Sequence, residues 1–240
     1  MYDQYPNQNR WGSTPAFDQA AFDAGLRQHM LRVYNFMMLG LALTGAIAFL
    51  VASTPALYVP IFTTPLKWVV MLAPLGFIMV MSWRFERMSA SSLQMLFWAF
   101  CAVMGVSMAS IFLVFTGASI ARVFFITAAM FAGMSLYGYT TKADLSKMGS
   151  FLMMGLLGII LASVVNIFLG STALQFAISV IGVLVFTGLT AFDTQRIKSE
   201  YAESYGQETN SKLAIMGALS LYLNFINLFQ MLLSLLGNRE

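Results

Sequence analysis

The chain has 240 residues, of which 59% are hydrophobic and only 10% are charged. Soluble domains carry about 25% charged residues, so this composition and the mean hydropathy of +0.75 argue against a soluble helical bundle and indicate a membrane protein. The net charge is +3, but the basic residues stand singly between apolar runs and form no stripe that could follow a phosphate backbone. We therefore expect no nucleic-acid partner.

The first 32 residues precede the apolar runs. Residues 1–13 are polar and contain Pro and Gly, which predicts a disordered tail. Apolar residues then recur every four positions, at Phe22, Leu26 and Met30. This spacing fits either a short amphipathic helix on the membrane surface or an extension of the first span, and the pattern leaves both open. We assign residues 1–32 to an N-terminal tail that contains this helix.

Seven apolar segments follow, each long enough to cross about 30 Å of hydrocarbon at about 1.5 Å per residue. Their approximate bounds are 33–53, 66–83, 92–115, 119–139, 150–169, 173–195 and 213–236. The third and fourth segments are the least clearly separated, because only Thr116 to Ser119 lie between them. The sequence therefore predicts an all-α integral membrane protein with a seven-helix domain over residues 33–236 and a short C-terminal tail, 237–240.

Lys and Arg residues are distributed unevenly between the two sides of these spans. Ten of the 13 lie in the N-terminal segment and in the second-to-third, fourth-to-fifth and sixth-to-seventh connections. By the positive-inside rule these regions are cytoplasmic, so the N-terminus is cytoplasmic and the C-terminus is outside. An even number of spans would break the alternation of basic-rich and basic-poor connections, so the charge pattern supports seven spans.

Small residues recur every four positions in three of the spans. They are Cys101, Gly105 and Ala109 in the third, Ala129 and Gly133 in the fourth, and Gly158 and Ala162 in the fifth. Such faces let helices approach closely. We favour packing within the chain over a homodimer seam.

Residues suited to catalysis are scarce. His29 is the only histidine and Cys101 the only cysteine, so neither a Ser–His pair within the membrane nor a His/Cys metal cluster can be assembled. An aspartyl protease needs two carboxylates that share a proton, and we place only Asp193 within the hydrocarbon region. We therefore expect a protein that is not an enzyme and that needs no metal or other cofactor.

Polar residues stand out in the last two spans. Asp193 lies near the cytoplasmic end of the sixth span, and a carboxylate at membrane depth is costly unless it is neutral, paired or wetted. The alternative is an interfacial Asp that faces the cytosol and pairs with a nearby base such as Arg196. In the seventh span Ser220, Asn224 and Asn227 share one helix face. This stripe predicts a helix that faces the bundle interior, for interhelical hydrogen bonds or for a wetted ion path.

Three stretches carry a family resemblance. They are SLYGYTTKADL (135–145), GLTAFDTQRI (188–197) and ALSLYLNFINLF (218–229). In order, spacing and placement they resemble the Bax inhibitor-1 family, especially its bacterial inner-membrane members, over roughly residues 25–240. The resemblance implies a bundle whose seventh helix is central and wrapped by the other six. It also implies a pH-sensitive calcium leak across the membrane.

The resemblance also implies a site in which carboxylates on the sixth and seventh helices face each other, with an arginine from the second helix beside them. Asp193 matches the sixth-helix carboxylate, and the arginine is Arg84 or Arg87. Asn224 stands where the family commonly has the second Asp. Because an amide cannot ionise, we expect an ionised Asp193 that pairs with Arg84 or Arg87 and accepts a hydrogen bond from Asn224. Gating should then weaken or shift toward more acidic pH.

A second function remains open at this stage. Some bacterial members of the family are associated with modulating a membrane-bound quality-control protease. By that resemblance the chain would be a regulator that transports nothing, and residues 1–32 would be long enough to reach a partner in the membrane.

Overall fold

The structure is a computed structural model that describes the backbone of residues 16–239 and the side chains of residues 22–239. The helices are α1 (Ala16–Ala52), α2 (Pro55–Thr63), α3 (Leu66–Trp83), α4 (Ala90–Val114), α5 (Gly117–Thr140), α6 (Ser146–Leu169), α7 (Thr172–Glu200) and α8 (Gly206–Leu236). A 3₁₀ turn at Glu203–Tyr205 precedes α8. The predicted disordered tail, residues 1–13, lies outside the described residues.

Seven of these helices, α1 and α3 to α8, are long and apolar enough to cross a membrane. The predicted all-α fold with seven spans is therefore confirmed. The weakest predicted boundary is also real, because α4 ends at Val114 and α5 begins at Gly117. There the Thr116 side chain accepts a hydrogen bond from the amide of Ser119 and caps the new helix.

The first span is longer than its apolar run. α1 continues without a break from Ala16 to Ala52, so the periodic segment before the span is an extension of it and not a separate surface helix. The reason is that its apolar spacing continues into the buried face of the span, at Leu26, Met30, Val33 and Met37. The short helix α2, which the sequence did not predict, begins with Pro55 and has no buried residue.

α8 is the central helix of the bundle and the most deeply enclosed of the spans. Its main neighbours are α1, α4, α5 and α7. α3 lies further out against α4, and α6 lies further out against α7. The central position is as predicted, but the expectation that all six other helices wrap α8 is only partly met, because two of them pack mainly on its neighbours.

α7 and α8 form an antiparallel pair. Gly217 lies against Ile197 near the cytoplasmic end, and the Ser179 hydroxyl donates to Ser234 at 3.1 Å near the opposite end. The helices reverse direction just before Gly206, whose φ of +73° favours glycine. Because both helices extend beyond the hydrocarbon on the cytoplasmic side, positions that are far from the turn in sequence can meet.

The three small-residue faces differ in how far they pack within the chain. Cys101, Gly105 and Ala109 are buried, and a Cβ on Gly105 would lie 2.8 Å from the carbonyl oxygen of Thr44 on α1. By contrast, a Cβ on Gly133 or Gly158 would meet nothing within 4 Å. The expectation of packing within the chain is therefore wrong for the face containing Gly133. It is met in part by the face containing Gly158, since Ala162 packs against the core while Gly158 points outward.

Candidate functional site

Asp193 lies on the face of α7 that is turned toward α8, and it is only 7% exposed. α5 approaches the same part of α7 very closely, because a Cβ on Gly138 would overlap the carbonyl oxygen of Ala191. This contact needs a glycine at position 138 and fixes α7 next to the carboxylate. The bundle therefore holds the backbone around Asp193 from both sides.

Three donors surround the Asp193 carboxylate. Asn224 Nδ2 donates to Oδ2 at 2.7 Å, and the Ser220 hydroxyl donates to the same oxygen at 2.9 Å. Arg196 Nη2 lies 2.9 Å from Oδ1 and also donates to the Ser220 hydroxyl at 3.1 Å. The four side chains form one closed cluster, which we call the Asp193 cluster.

The contacts in this cluster differ in strength. The Arg196 side chain is 43% exposed, and an ion pair with an exposed partner contributes about 1 kcal/mol or less. A hydrogen bond to a charged group contributes about 1.5–3 kcal/mol. The bonds from Asn224 and Ser220 on α8 therefore stabilise the buried carboxylate more than Arg196 does. Arg196 also lies 3.7 Å from Glu200, so it belongs to the surface charges as well.

The cluster lies at the cytoplasmic edge of the hydrocarbon region. α7 begins at Thr172, so Asp193 is about 32 Å along the helix axis at a rise of about 1.5 Å per residue. The hydrocarbon core is about 30 Å thick. Asp193 therefore marks the point where α7 leaves the apolar layer, and the exposed Arg196 lies in the interfacial layer beyond it.

The expected arginine partner is corrected by the structure. Arg84 and Arg87 are exposed at the cytoplasmic end of α3, and α3 packs on the outside of the bundle against α2 and α4. The place expected for them beside Asp193 is taken by Arg196, one helical turn away on α7 itself. Asp193 and Arg196 are three residues apart in the sequence. The alternative interpretation, an interfacial Asp193 that pairs with a nearby base, therefore predicts this ion pair.

The polar stripe of α8 is only partly in contact with Asp193. Ser220 and Asn224 both reach the carboxylate. Asn227 is partly buried and donates to the carbonyl oxygen of Leu223 on its own helix at 2.8 Å. Asn227 is about 10 Å from Ser220 along the helix axis, which places it deeper in the membrane.

Sequence reasoning missed a polar chain beside the cluster. The Tyr34 hydroxyl of α1 lies 2.6 Å from the Ser135 hydroxyl of α5, which lies 3.0 Å from the Thr194 hydroxyl of α7. Three helices are thus linked at the residue next to Asp193. Two features of the sequence could have indicated this chain. Tyr34 is a single Tyr within an apolar run, and Ser135 begins the first of the three family motifs.

A cavity of about 820 Å³ opens beside the cluster on the cytoplasmic side. Its lining includes Lys142, Asp144, Gln195 and Arg196. Hydrogen bonds from the side chain and amide of Ser146 hold the pKa of Asp144 below its usual range, so this carboxylate is ionised at neutral pH. Through Arg196, which also contacts Asp193, the cavity adjoins the Asp193 cluster.

Within residues 22–239, no group of three or more His, Cys, Asp and Glu side chains is arranged to hold a metal ion. The direct side-chain partners of the Asp193 carboxylate are one hydroxyl, one amide and one guanidinium, and the guanidinium of Arg196 is shared with the Glu200 carboxylate.

Comparison with known proteins identifies the family. A family model described as inhibitor of apoptosis-promoting Bax1 matches residues 26–240. The chain belongs to the Bax inhibitor-1 family. One relative, RP147 of Rickettsia prowazekii, is 50% identical over 219 residues, which cover 91% of this chain and 93% of RP147. Another, the inner membrane protein YbhL of Escherichia coli, is 47% identical over 220 residues, covering 90% and 94%.

Membership of the Bax inhibitor-1 family confirms the resemblance read from the three motifs, and it covers nearly the whole chain. A more distant membrane protein of Streptococcus pyogenes is still 30% identical over 221 residues. With seven membrane-spanning helices and an inner membrane relative of nearly equal length, the chain is a multi-pass protein of the bacterial inner membrane. We take the side that carries most of the basic residues as cytoplasmic, which stays a prediction from the sequence.

Proposed function

We propose that this protein is a pH-influenced cation leak channel, with calcium as the permeant ion, and that it has no catalytic role. The observation that carries the proposal is the Asp193 cluster, which places one buried carboxylate between α7 and the central helix α8 at the cytoplasmic edge of the membrane. The family resemblance supplies calcium as the ion. The oxygen-bearing side chains along α8 suit a hard cation of that kind.

The cluster can act as a gate because its bonds depend on the charge of Asp193. While the carboxylate is ionised, it accepts bonds from Ser220 and Asn224 and holds Arg196 in place. When it is protonated, the ion pair is lost and the hydrogen bonds to a charged acceptor become weaker neutral ones. α7 and α8 are then held less tightly at their cytoplasmic ends, and acidification opens the path.

Asn224 makes this gate different from a pair of carboxylates. Two adjacent carboxylates share a proton and titrate together, whereas here Asp193 has an amide as its nearest partner on α8. Opening therefore depends on protonation of Asp193 itself, while Glu200, which shares Arg196 with it, is a second acid at the edge of the cluster. We expect opening to require more acidic conditions than a carboxylate pair would.

The proposal is tested by reconstituting the full chain in liposomes loaded with a calcium indicator. We expect calcium influx above that of protein-free liposomes. Potassium and magnesium fluxes are measured in the same preparation for comparison. The variant Asp193→Asn, a neutral mimic of the protonated state, should raise the leak at neutral pH. Asp144→Asn, which removes an exposed carboxylate from the cytoplasmic cavity, serves as the matched control. A leak equal to that of empty liposomes for both wild type and Asp193→Asn would contradict the proposal.

A regulator of a membrane protease is the second candidate, and one observation favours it. The cytoplasmic part of α1 is fixed to the end of α7, where Phe22 and His29 pack against the Tyr201 ring at 5.6 and 5.3 Å. The described part of α1 that precedes the membrane is therefore held at a defined position that a partner could recognise. Deleting residues 1–15 separates the two functions, because a leak in purified liposomes should persist and tail-dependent modulation should be lost.

A further inference from the structure

A long groove runs down the outside of the bundle between α1 and α5. Its volume is about 1050 Å³, at the upper end of ordinary ligand pockets. Phe225 of α8 forms part of its floor, in contact with Phe124 and Phe131 of α5 at ring-centroid distances of 5.5 and 5.6 Å. The groove lies on a membrane-facing surface, so its open side faces the bilayer.

Small residues on both walls create the space. They are Ala42, Gly45 and Ala46 on α1 and Ala128 and Ala132 on α5. A Cβ added to Gly45 would meet nothing within 4 Å. Close packing of the two helices would normally fill such a surface, but here α1 and α5 are joined mainly by the polar chain at their cytoplasmic ends.

The polar groups of the groove are concentrated at one end. Arg27, Tyr34, Ser135 and Tyr139 line its cytoplasmic end, and the remaining lining is apolar. The Tyr34–Ser135 bond continues to Thr194, next to Asp193 at the hydrocarbon edge. Arg27 is about 10 Å further toward the cytoplasm along α1, which is the level of the lipid headgroups.

Two basic groups flank this end. Arg27 belongs to the groove itself. Lys198 of α7 donates through Nζ to the carbonyl oxygen of Tyr139 at 2.8 Å and lies 4.9 Å from the centre of the Tyr139 ring. One acidic residue, Asp23, is exposed one turn before Arg27. Across the cytoplasmic side of residues 22–239, nine Lys and Arg side chains stand against seven Asp and Glu. The net charge on this side is therefore positive, above a groove that is apolar along its length.

We propose that this groove binds one anionic phospholipid, with an acyl chain along α1 and α5 and the phosphate on Arg27. Basic pockets between transmembrane helices on the cytoplasmic side favour anionic headgroups. A transmembrane helix is a poorer occupant, because it is about 10–12 Å wide and the Tyr34–Ser135 bond ties the two walls together. The proposal concerns lipid binding and does not depend on ion flux.

The test is native mass spectrometry of the delipidated full chain in detergent, titrated with phosphatidylglycerol or phosphatidylcholine of identical acyl chains. We expect phosphatidylglycerol to bind more tightly, with one high-affinity copy per chain. Arg27→Gln should weaken phosphatidylglycerol binding about five-fold and leave phosphatidylcholine binding unchanged, because one basic residue near an anionic lipid contributes about 1 kcal/mol. Lys147→Gln, an exposed basic residue on the same side, is the control and should change neither.

A second pair of variants tests the apolar part of the site. Gly45→Phe fills the groove, and Gly158→Phe adds the same side chain on α6, where a Cβ also meets nothing within 4 Å. The first should abolish the high-affinity copy of phosphatidylglycerol, and the second should retain it. The proposal is overturned if the two lipids bind equally, if Arg27→Gln behaves like Lys147→Gln, or if a second copy of the chain replaces the lipid. Should Gly45→Phe fail to fold, Ala132→Leu fills the opposite wall.

Discussion

Asn224 donates a hydrogen bond of 2.7 Å to the same Asp193 oxygen that accepts from Ser220. The amide thus occupies the position that a second carboxylate would hold in the pattern read from the sequence. Unlike a carboxylate, this amide donates through its N–H and cannot itself ionise. The contact between α7 and α8 at this point therefore joins one ionisable side chain and one that is not.

The variant Asn224→Asp should restore a carboxylate pair. Two carboxylates at this distance cannot both ionise cheaply, so one keeps its proton to higher pH. We expect the pH at which calcium flux rises to move toward neutrality, measured in liposomes over a pH series. Asn166→Asp, at the distant end of α6, is the control. An unchanged pH profile in Asn224→Asp would show that this position does not take part in gating.

Replacing Arg196 by Gln should raise the calcium leak at neutral pH, because the cation that holds Asp193 from the cytoplasmic side is removed. The thermal stability in detergent should change little, since the lost ion pair has a half-exposed partner and contributes about 1 kcal/mol or less. Arg84→Gln should leave both quantities unchanged. If Arg84→Gln raised the leak and Arg196→Gln did not, the pairing seen in the structure would not be the one that matters for flux.

Gly138→Ala should destabilise the bundle. The added methyl group would overlap the carbonyl oxygen of Ala191, and overpacking of this kind costs about 1–3 kcal/mol. Gly133→Ala on the same helix faces open space, where Ala is favoured over Gly by about 1 kcal/mol. Thermal unfolding in detergent should therefore show a lower midpoint for the first variant and an equal or higher one for the second. Equal midpoints would argue against the close contact of α5 and α7.

Tyr34→Phe should lower stability by about 1 kcal/mol, the usual contribution of one hydrogen bond. It removes the hydroxyl that lies 2.6 Å from Ser135. Tyr137→Phe, whose ring is 46% exposed on α5, provides the control. Combined with Ser135→Ala, the double variant should lose less than the sum of the two single losses. Additive losses would show that the two hydroxyls do not interact.

Much of the fold could be predicted because membrane spans are encoded by length and apolarity alone. The same local information located Asp193 and the α8 stripe, since both break apolar runs. It could not select Arg196 over Arg84 and Arg87, because that choice depends on α3 lying outside α4. The spacing of small residues also could not show that the face containing Gly105 packs inward and the face containing Gly133 points outward. The two faces have the same pattern in the sequence.

The groove between α1 and α5 was also beyond sequence reasoning. Its walls are made of small apolar residues that would equally suit two helices in contact. Only the three-dimensional arrangement shows that the helices stand apart along Gly45 and Ala132 while Tyr34 and Ser135 meet. Tertiary packing, which one sequence does not display, decides between these outcomes.

The pH profile of calcium flux through liposomes that contain either wild type or Asp193→Asn tests the role of this carboxylate most directly. The proposed gate predicts that calcium flux through the wild type rises on acidification. The flux through Asp193→Asn should already be high at neutral pH and change little with pH. A profile in Asp193→Asn that rises with acid as steeply as the wild type would contradict it, because another group would then have to sense the proton.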